Sequence, residues 1–418
     1  MKNDCTLSIP IRPASLSLLI FCLSLVLFAS NFSHEITGFQ TRFALFARYM
    51  LQDGPSIFPR TYMGPYPDYP ATSVFLIYLS SLALGGITPF SAILPTAVVS
   101  ALIVVITFRI GALRSTLWGL FGAMFSLLTH SVLEEGRSIS LDQYTSLATV
   151  LCFYLAYSQT SSNRRGRLAF IPLIMAAGFA FRGPIGLVVP TGVLCGHYLL
   201  KRDYRGLLFV FSSGVILMGI CSASLLYCAY LEGGMPFVDR VLHCQVLGRL
   251  AGQPERGYLY YLLDGLGAYA LSYPLALFVI AMHLKPLFRG GESDMSLLRH
   301  VAFWILIVLL GMSLAGTKHM RYILPAVPAL SLAAAYVFVS PLEKAILSRI
   351  KSILIRFFFF LPVSLFFISL LSLALAHRFF PGLEVPWSGL AISMGLLSIM
   401  VWTIKKRVII HNVINSCV

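Results

Sequence analysis

Apolar runs of roughly 17–25 residues, the length that crosses a bilayer as a helix, recur along the whole chain between short polar stretches. They predict spans near 14–31, 88–108, 115–131, 143–159, 168–181, 183–200, 206–230, 264–283, 300–316, 321–340, 355–376 and 388–404. The pattern is that of an all-α polytopic membrane protein with a bundle of about twelve transmembrane helices. Three polar stretches are long, at 32–87, 132–142 and 231–263, and the last connections are short and basic. No internal repeat is visible. The expected division is a domain over 1–340 and C-terminal helices over 341–418.

One apolar run, 71–86, is short and ends in Gly85-Gly86. Charge decides how to place it. If it does not span, 20 of the 31 basic residues and 5 of the 16 acidic ones lie on the inner side, leaving eleven of each sign outside. If it spans, every later connection flips and most basic residues move outward, against the positive-inside rule. Residues 71–86 therefore read as a re-entrant or interfacial helix, with both termini cytoplasmic and the long loops extracytoplasmic. The expected setting is a bacterial inner membrane. Lys2 and Arg12 precede the first run, which is too long, and too poor in a small-residue cleavage site, for a signal peptide; an uncleaved first span is expected.

Composition agrees. The chain is 58% hydrophobic and 11% charged, with mean hydropathy +0.83, whereas a soluble domain is about a quarter charged. The net charge of +15 invites nucleic acid as a partner, but the basic residues lie in short clusters between spans, so membrane orientation explains them and no nucleic acid is expected. The eight cysteines lack CxxC spacing and read as small buried hydrophobes.

Several ionisable residues on the expected outer face lie where a solvated loop charge is a poor account. Arg182, in Phe-Arg-Gly-Pro, sits at a junction with apolar sequence on both sides and must face protein or a water-filled cavity. Glu134, Glu135, Arg137 and Asp142 crowd one short exit between spans. Asp142 opens the following helix, so capping it and serving the site are both open readings. Lys318, Arg321 and Tyr322, in Lys-His-Met-Arg-Tyr-Ile-Leu-Pro, adjoin a span start. A snorkelling arginine and a phosphate site both suit them. In the first outer loop Phe39, Phe43, Phe46, Ala47 and Met50 fall at helical spacing, predicting an amphipathic helix in the interface with Arg42 and Arg48 among lipid headgroups. Prolines then hold Asp68 in an extended turn.

In this order these pieces resemble the GT-C superfamily of membrane glycosyltransferases, nearest the aminoarabinose transferases, the protein O-mannosyltransferases and the RgtA/B/C/D-like proteins, over about residues 30–335. The resemblance implies a GT-C-type bundle with interfacial helices in the first outer loop. It also implies transfer of a sugar from a polyprenyl-phosphate donor to a lipid, glycan or protein acceptor on the extracytoplasmic side. Arg42 matches the arginine after the family's acidic pair, but that pair falls on Phe39 and Gln40. Glu35, one turn earlier, is the replacement base, with Asp68 the other candidate. Arg42, Arg182, Lys318, Arg321 and Tyr322 take donor-phosphate roles, and Glu135, Arg137 and Asp142 supporting ones. His243 matches a loop histidine that helps hold a divalent metal. With Asp68 it makes a thin two-ligand site, and no other cofactor is implied.

Two further classes compete. A transporter or flippase would place its ionisable groups near the midplane, whereas here they gather at one face. An inactive GT-C-like scaffold would accommodate the missing acidic pair.

Overall fold

A computed structural model describes residues 13–30, 36, 38–67, 70–158, 164–247, 257–289, 293–340, 345–379 and 395. The chain forms two compact units, Met1–Val339 and Ser340–Val418. In the second, the described structure is a helix of 35 residues, Ala345–Phe379, which contains the expected span 355–376. The expected span 388–404 lies outside the described residues apart from Gly395.

The first unit is helical, with one small hairpin. Helices α1 (Pro13–Ala29), α2 (Thr41–Asp53), α3 (Thr72–Ala83), α4 (Pro89–Ala112), α5 (Thr116–Leu128), α6 (His130–Gly136) and α7 (Asp142–Tyr157) lead into α8 (Arg164–Arg182), α9 (Pro184–Leu200) and α10 (Tyr204–Leu242). Strands β1 (Arg60–Thr61) and β2 (Gly64–Pro65) pair between α2 and α3. After α10 come α11 (Tyr260–Leu263), α12 (Gly265–Ala268), α13 (Ser272–Met282), α14 (Leu284–Arg289), α15 (Ser293–Ser313) and α16 (Val327–Ala335). The last is preceded by a 3-10 helix, Met320–Ala326, and followed by another, Tyr336–Phe338.

Helix α4 is central, packing on α1, α3, α5 and α7, and α7 in turn packs on α8 and α9. Its start is fixed by sequence: Thr88 and Ser91 form a reciprocal capping box and Pro89 supplies the first helical residue. Among the described residues four segments are long and apolar enough to cross a membrane: Pro89–Ala112, Tyr204–Gln245, Met295–Ser313 and Met320–Phe338. Helices α5 and α6 meet at a bend of 69°, as the arms of a broken span or of a re-entrant loop do.

The differences from the expected spans have local causes. The expected span 115–131 breaks at Thr129, whose hydroxyl bonds both Phe125 O and Ser272 Oγ, each at 2.7 Å. Beside it Ser131 Oγ donates to Ala268 O at 2.7 Å. The expected span 264–283 is itself broken between α12 and α13, where Leu271 adopts φ +77°, so the two breaks dock on one another and satisfy each other's polar groups. The span expected to end at 230 continues through a kink, where Gly234 takes the left-handed φ of +65° that a side chain resists, and Pro236 lies in the turn beyond.

The amphipathic helix exists as α2, and Phe43, Phe46, Ala47 and Met50 form its buried face, each no more than 2% exposed. That face is covered by protein: Val74 and Ile77 of α3, Ile93 of α4 and Ile139 before α7 share its cluster. Helix α3, with 12 residues, is about 18 Å long, against a hydrocarbon core of about 30 Å.

Candidate active site

Helix α8 ends at Arg182 and α9 begins at Pro184, so Gly183 alone makes the turn, with φ +66°. Proline at the first helical position needs no N–H partner and glycine accepts the left-handed backbone. The junction aims Arg182 inward at Asp142. Arg182 Nε donates to Asp142 Oδ1 at 2.9 Å and Nη2 to Oδ2 at 3.4 Å. Arg321 Nε stands 3.4 Å from Oδ2 as a second ion-pair partner. Leu141, already helical in its backbone, occupies the cap position of α7. The capping reading of Asp142 is therefore replaced: its oxygens serve two guanidiniums. The Arg182 and Asp142 side chains are 2% and 6% exposed and that of Arg321 28%. A forked carboxylate–guanidinium pair at such depth fixes geometry, and removing one partner from a pair like it costs about 3–5 kcal/mol.

Arg321 and Tyr322 belong to the 3-10 helix Met320–Ala326, whose start is held by Tyr269 Oη donating to Met320 O at 2.7 Å. Arg182 Cζ lies 5.6 Å from the centre of the Tyr322 ring, a cation–π contact. Lys318, three residues before Arg321, is 5% exposed and holds its Nζ 5.4 Å from the Tyr258 ring. Next to Tyr258 opens a cleft of about 560 Å³ lined by Gly257, Leu259, Tyr260, Leu263 and Asp264.

Glu135 in α6 faces the same centre. Burial raises its pKa above the usual carboxylate range, the nearby Asp142 charge adds to this, and Arg321 opposes it. Arg137 follows at the end of α6. The cluster thus sets Arg182, Arg321 and Lys318 against one carboxylate committed to two of them and another whose ionisation burial resists. Its field suits an anion with oxygens to spare, as a phosphate has.

The other expected site residues divide. Arg42 Nη1 donates to Tyr66 Oη at 3.1 Å, and its Cζ lies 4.9 Å from the Phe43 ring. Gln40, where the resembled family has an acid, accepts from Ile139 N at 3.3 Å and so tethers the loop that leads to Asp142. His243 is exposed on the π-helical turn His243–Leu247. Glu35 and Asp68 lie outside the described residues. Among the described residues no three His, Cys, Asp or Glu side chains converge as metal ligands. Sequence reasoning did not single out Gln245, Tyr258 or Tyr269.

The bundle, with its broken helices and a buried ionic centre, shares its fold with ArnT and with an archaeal oligosaccharyltransferase. Two solved structures carry the likeness. ArnT from Cupriavidus metallidurans, solved bound to undecaprenyl phosphate, superposes with a TM-score of 0.63 at 16% identity, covering 93% of this chain and 70% of that one. The archaeal oligosaccharyltransferase AglB from Archaeoglobus fulgidus, solved with an inhibitory peptide and a dolichol-phosphate, gives 0.51 at 12% identity, and the match covers 54% of its length. An uncharacterized protein of Aquifex aeolicus (strain VF5) is 30% identical over 158 residues, 38% of this chain and 34% of that protein, so the match spans about a third of the relative. No family model matches the sequence.

Proposed function

We propose that this chain is a membrane glycosyltransferase that moves a sugar from a polyprenyl-phosphate donor to an acceptor hydroxyl at the extracytoplasmic face, with inversion at the anomeric carbon. The observation that carries the reading is the buried centre in which Asp142 fixes Arg182 and Arg321, with Lys318 on the same segment as Arg321. Fixed cations in a low-dielectric cleft stabilise charge that develops on a leaving group. The likeness to a protein solved with undecaprenyl phosphate supports the donor class.

In the proposed reaction a carboxylate takes the acceptor's hydroxyl proton. Glu35 is assigned that role and Asp68 is the other candidate. The acceptor oxygen attacks the anomeric carbon, the bond from that carbon to the phosphate oxygen breaks, and polyprenyl phosphate leaves with the electron pair. Arg182, Arg321, Lys318 and Arg42 receive that charge, with Tyr322 beneath the Arg182 guanidinium. Asp142 acts by holding the two arginines, and Glu135 and Arg137 support the same loop. A divalent metal on Asp68 and His243 would add Lewis-acid help to the leaving phosphate. The charge pattern puts both termini in the cytoplasm and this centre outside, with α2 and α3 near the interface of a bundle of about twelve spans.

Mass spectrometry of cell-envelope glycans and lipid-linked sugars, with and without the intact gene, tests the reading. The expected result is loss of one glycosyl substituent with build-up of its lipid-linked donor, restored by wild type but not by Arg182→Ala. Unchanged glycans and unchanged lipid-linked sugars would refute the assignment.

A further inference from the structure

Gln245 lies in the π-helical turn that follows α10 and is 7% exposed. Neither its Nε2 nor its Oε1 has a hydrogen-bond partner among the described residues. Its place is fixed by Gly183: a Cβ on that glycine would come within 3.0 Å of Gln245 Oε1. The amide therefore lies against the backbone of the residue that follows Arg182, beside the ionic centre. Buried amides are nearly always satisfied, and one left open costs desolvation that nothing in the protein returns. Short π-helical turns are themselves frequent at functional sites.

A carboxamide presents an acceptor and a donor side by side on one flat edge. Two hydroxyls on adjacent carbons of a sugar match that edge, one donating to Oε1 and its neighbour accepting from Nε2. We propose that Gln245 binds two neighbouring hydroxyls of the donor's sugar, so that cations grip the phosphate and this amide reads the carbohydrate. The inference rests on the glycosyltransferase reading above and adds a specificity-determining residue to it. A site built to bond a hydroxyl discriminates strongly against the analogue that lacks it, because its own polar atoms are then stranded.

The test uses the full chain in lipid nanodiscs. Binding is measured for undecaprenyl phosphate alone, for the same carrier bearing glucose, mannose or arabinose, and for monodeoxy analogues of the tightest of these. Wild type is expected to bind one sugar-bearing carrier about tenfold or more tighter than the bare carrier. Gln245→Leu should abolish that increment and leave the bare carrier within about twofold. Removing either of two adjacent hydroxyls should weaken wild type and leave the variant unaffected. Gln245→Met, closer in volume and flexibility, replaces the leucine variant if the latter does not fold. The inference is overturned if the variant keeps the full sugar increment, if it weakens the bare carrier equally, or if no sugar in the panel improves on the bare carrier. Failure of wild type to bind any carrier, bare or loaded, would instead bring down the glycosyltransferase reading and this inference with it.

Discussion

Helix α7 carries a buried polar centre at each end, and the two are built on different physics. At its first residue Asp142 is forked by Arg182 and paired with Arg321. Fifteen residues on, about 22 Å along the axis, Tyr157 faces His197 and His300 at ring-centroid distances of 5.9 and 5.5 Å. Those two imidazoles lie 4.7 Å apart, and Phe153 adds another ring at 5.5 Å from His197. Arg114 there donates to a neutral hydroxyl, Tyr157 Oη, at 2.7 and 3.0 Å. The second centre is a cluster of rings packed mostly edge to face, with a cation at its exposed rim. The first binds formal charges in a fixed array, which is what a charged ligand can use. Burial of polar residues alone does not mark a site; the way their charge is balanced does.

The sharpest way to break this contrast is to remove the acid. Asp142→Leu leaves two guanidiniums without their shared carboxylate, and a loss of about 3–5 kcal/mol of stability is expected. Thermal unfolding in detergent reads it directly. Adding Arg182→Leu should recover much of that loss, because an apolar pair often replaces a buried ion pair without penalty, while transfer activity stays lost. If Asp142→Leu alone unfolds like wild type, the ionic centre does not hold the fold together.

Arg182→Lys is the next largest. Lysine is a point charge and cannot reproduce the two-pronged contact to Asp142, so one charge-assisted bond of about 1.5–3 kcal/mol is lost. A roughly tenfold drop in transfer is expected, with the bundle still folded. Equal rates for the two residues would mean that charge alone, without the fork, suffices.

Much of this arrangement was legible in sequence, and the limits have physical causes. Arg182 stood out because no apolar environment tolerates an isolated guanidinium, and the Gly-Pro after it already required a tight turn. Asp142 was ambiguous because a first-turn aspartate serves a helix dipole and a buried arginine equally well; only the position of α8 decides. The apolar stripe of α2 was readable at Phe43, Phe46, Ala47 and Met50, while Phe39 falls in the 3-10 turn before the helix; its covering was not readable, since lipid and α3 offer the same hydrophobic gain. The breaks at Thr129 and Leu271 were hidden because the hydrogen bonds that join them, Thr129 to Ser272 and Ser131 to Ala268, exist only in the folded bundle. Gln245 was invisible, because its significance is an unfilled hydrogen-bonding edge, which is a property of three dimensions.

The ring cluster offers a test from the other side. His197→Phe keeps a flat ring in a site 2% exposed, and a near-isosteric swap of this kind is expected to cost less than about 1.5 kcal/mol. Transfer rates measured beside wild type should be unchanged. A folded His197→Phe protein without activity would show that the ring centre is a second working site.

The smallest expected effect belongs to Glu135, the second carboxyl of the ionic centre. Burial places its folded-state pKa above the ordinary carboxylate range. Its protonated form therefore adds stability that is fully present below that range and is lost as pH rises through the elevated value. Glu135→Gln removes the titration and keeps the shape. The two proteins should melt alike in acid, and the glutamine variant should become modestly the more stable as pH rises above the ordinary carboxylate range and through the elevated value. The difference should be well below that of Asp142→Leu, since Arg321 already offsets part of the charge. Parallel melting curves across that window would mean that Glu135 is solvated. The centre would then hold a single structural carboxylate, Asp142, and the contrast with the ring cluster would rest on that residue alone.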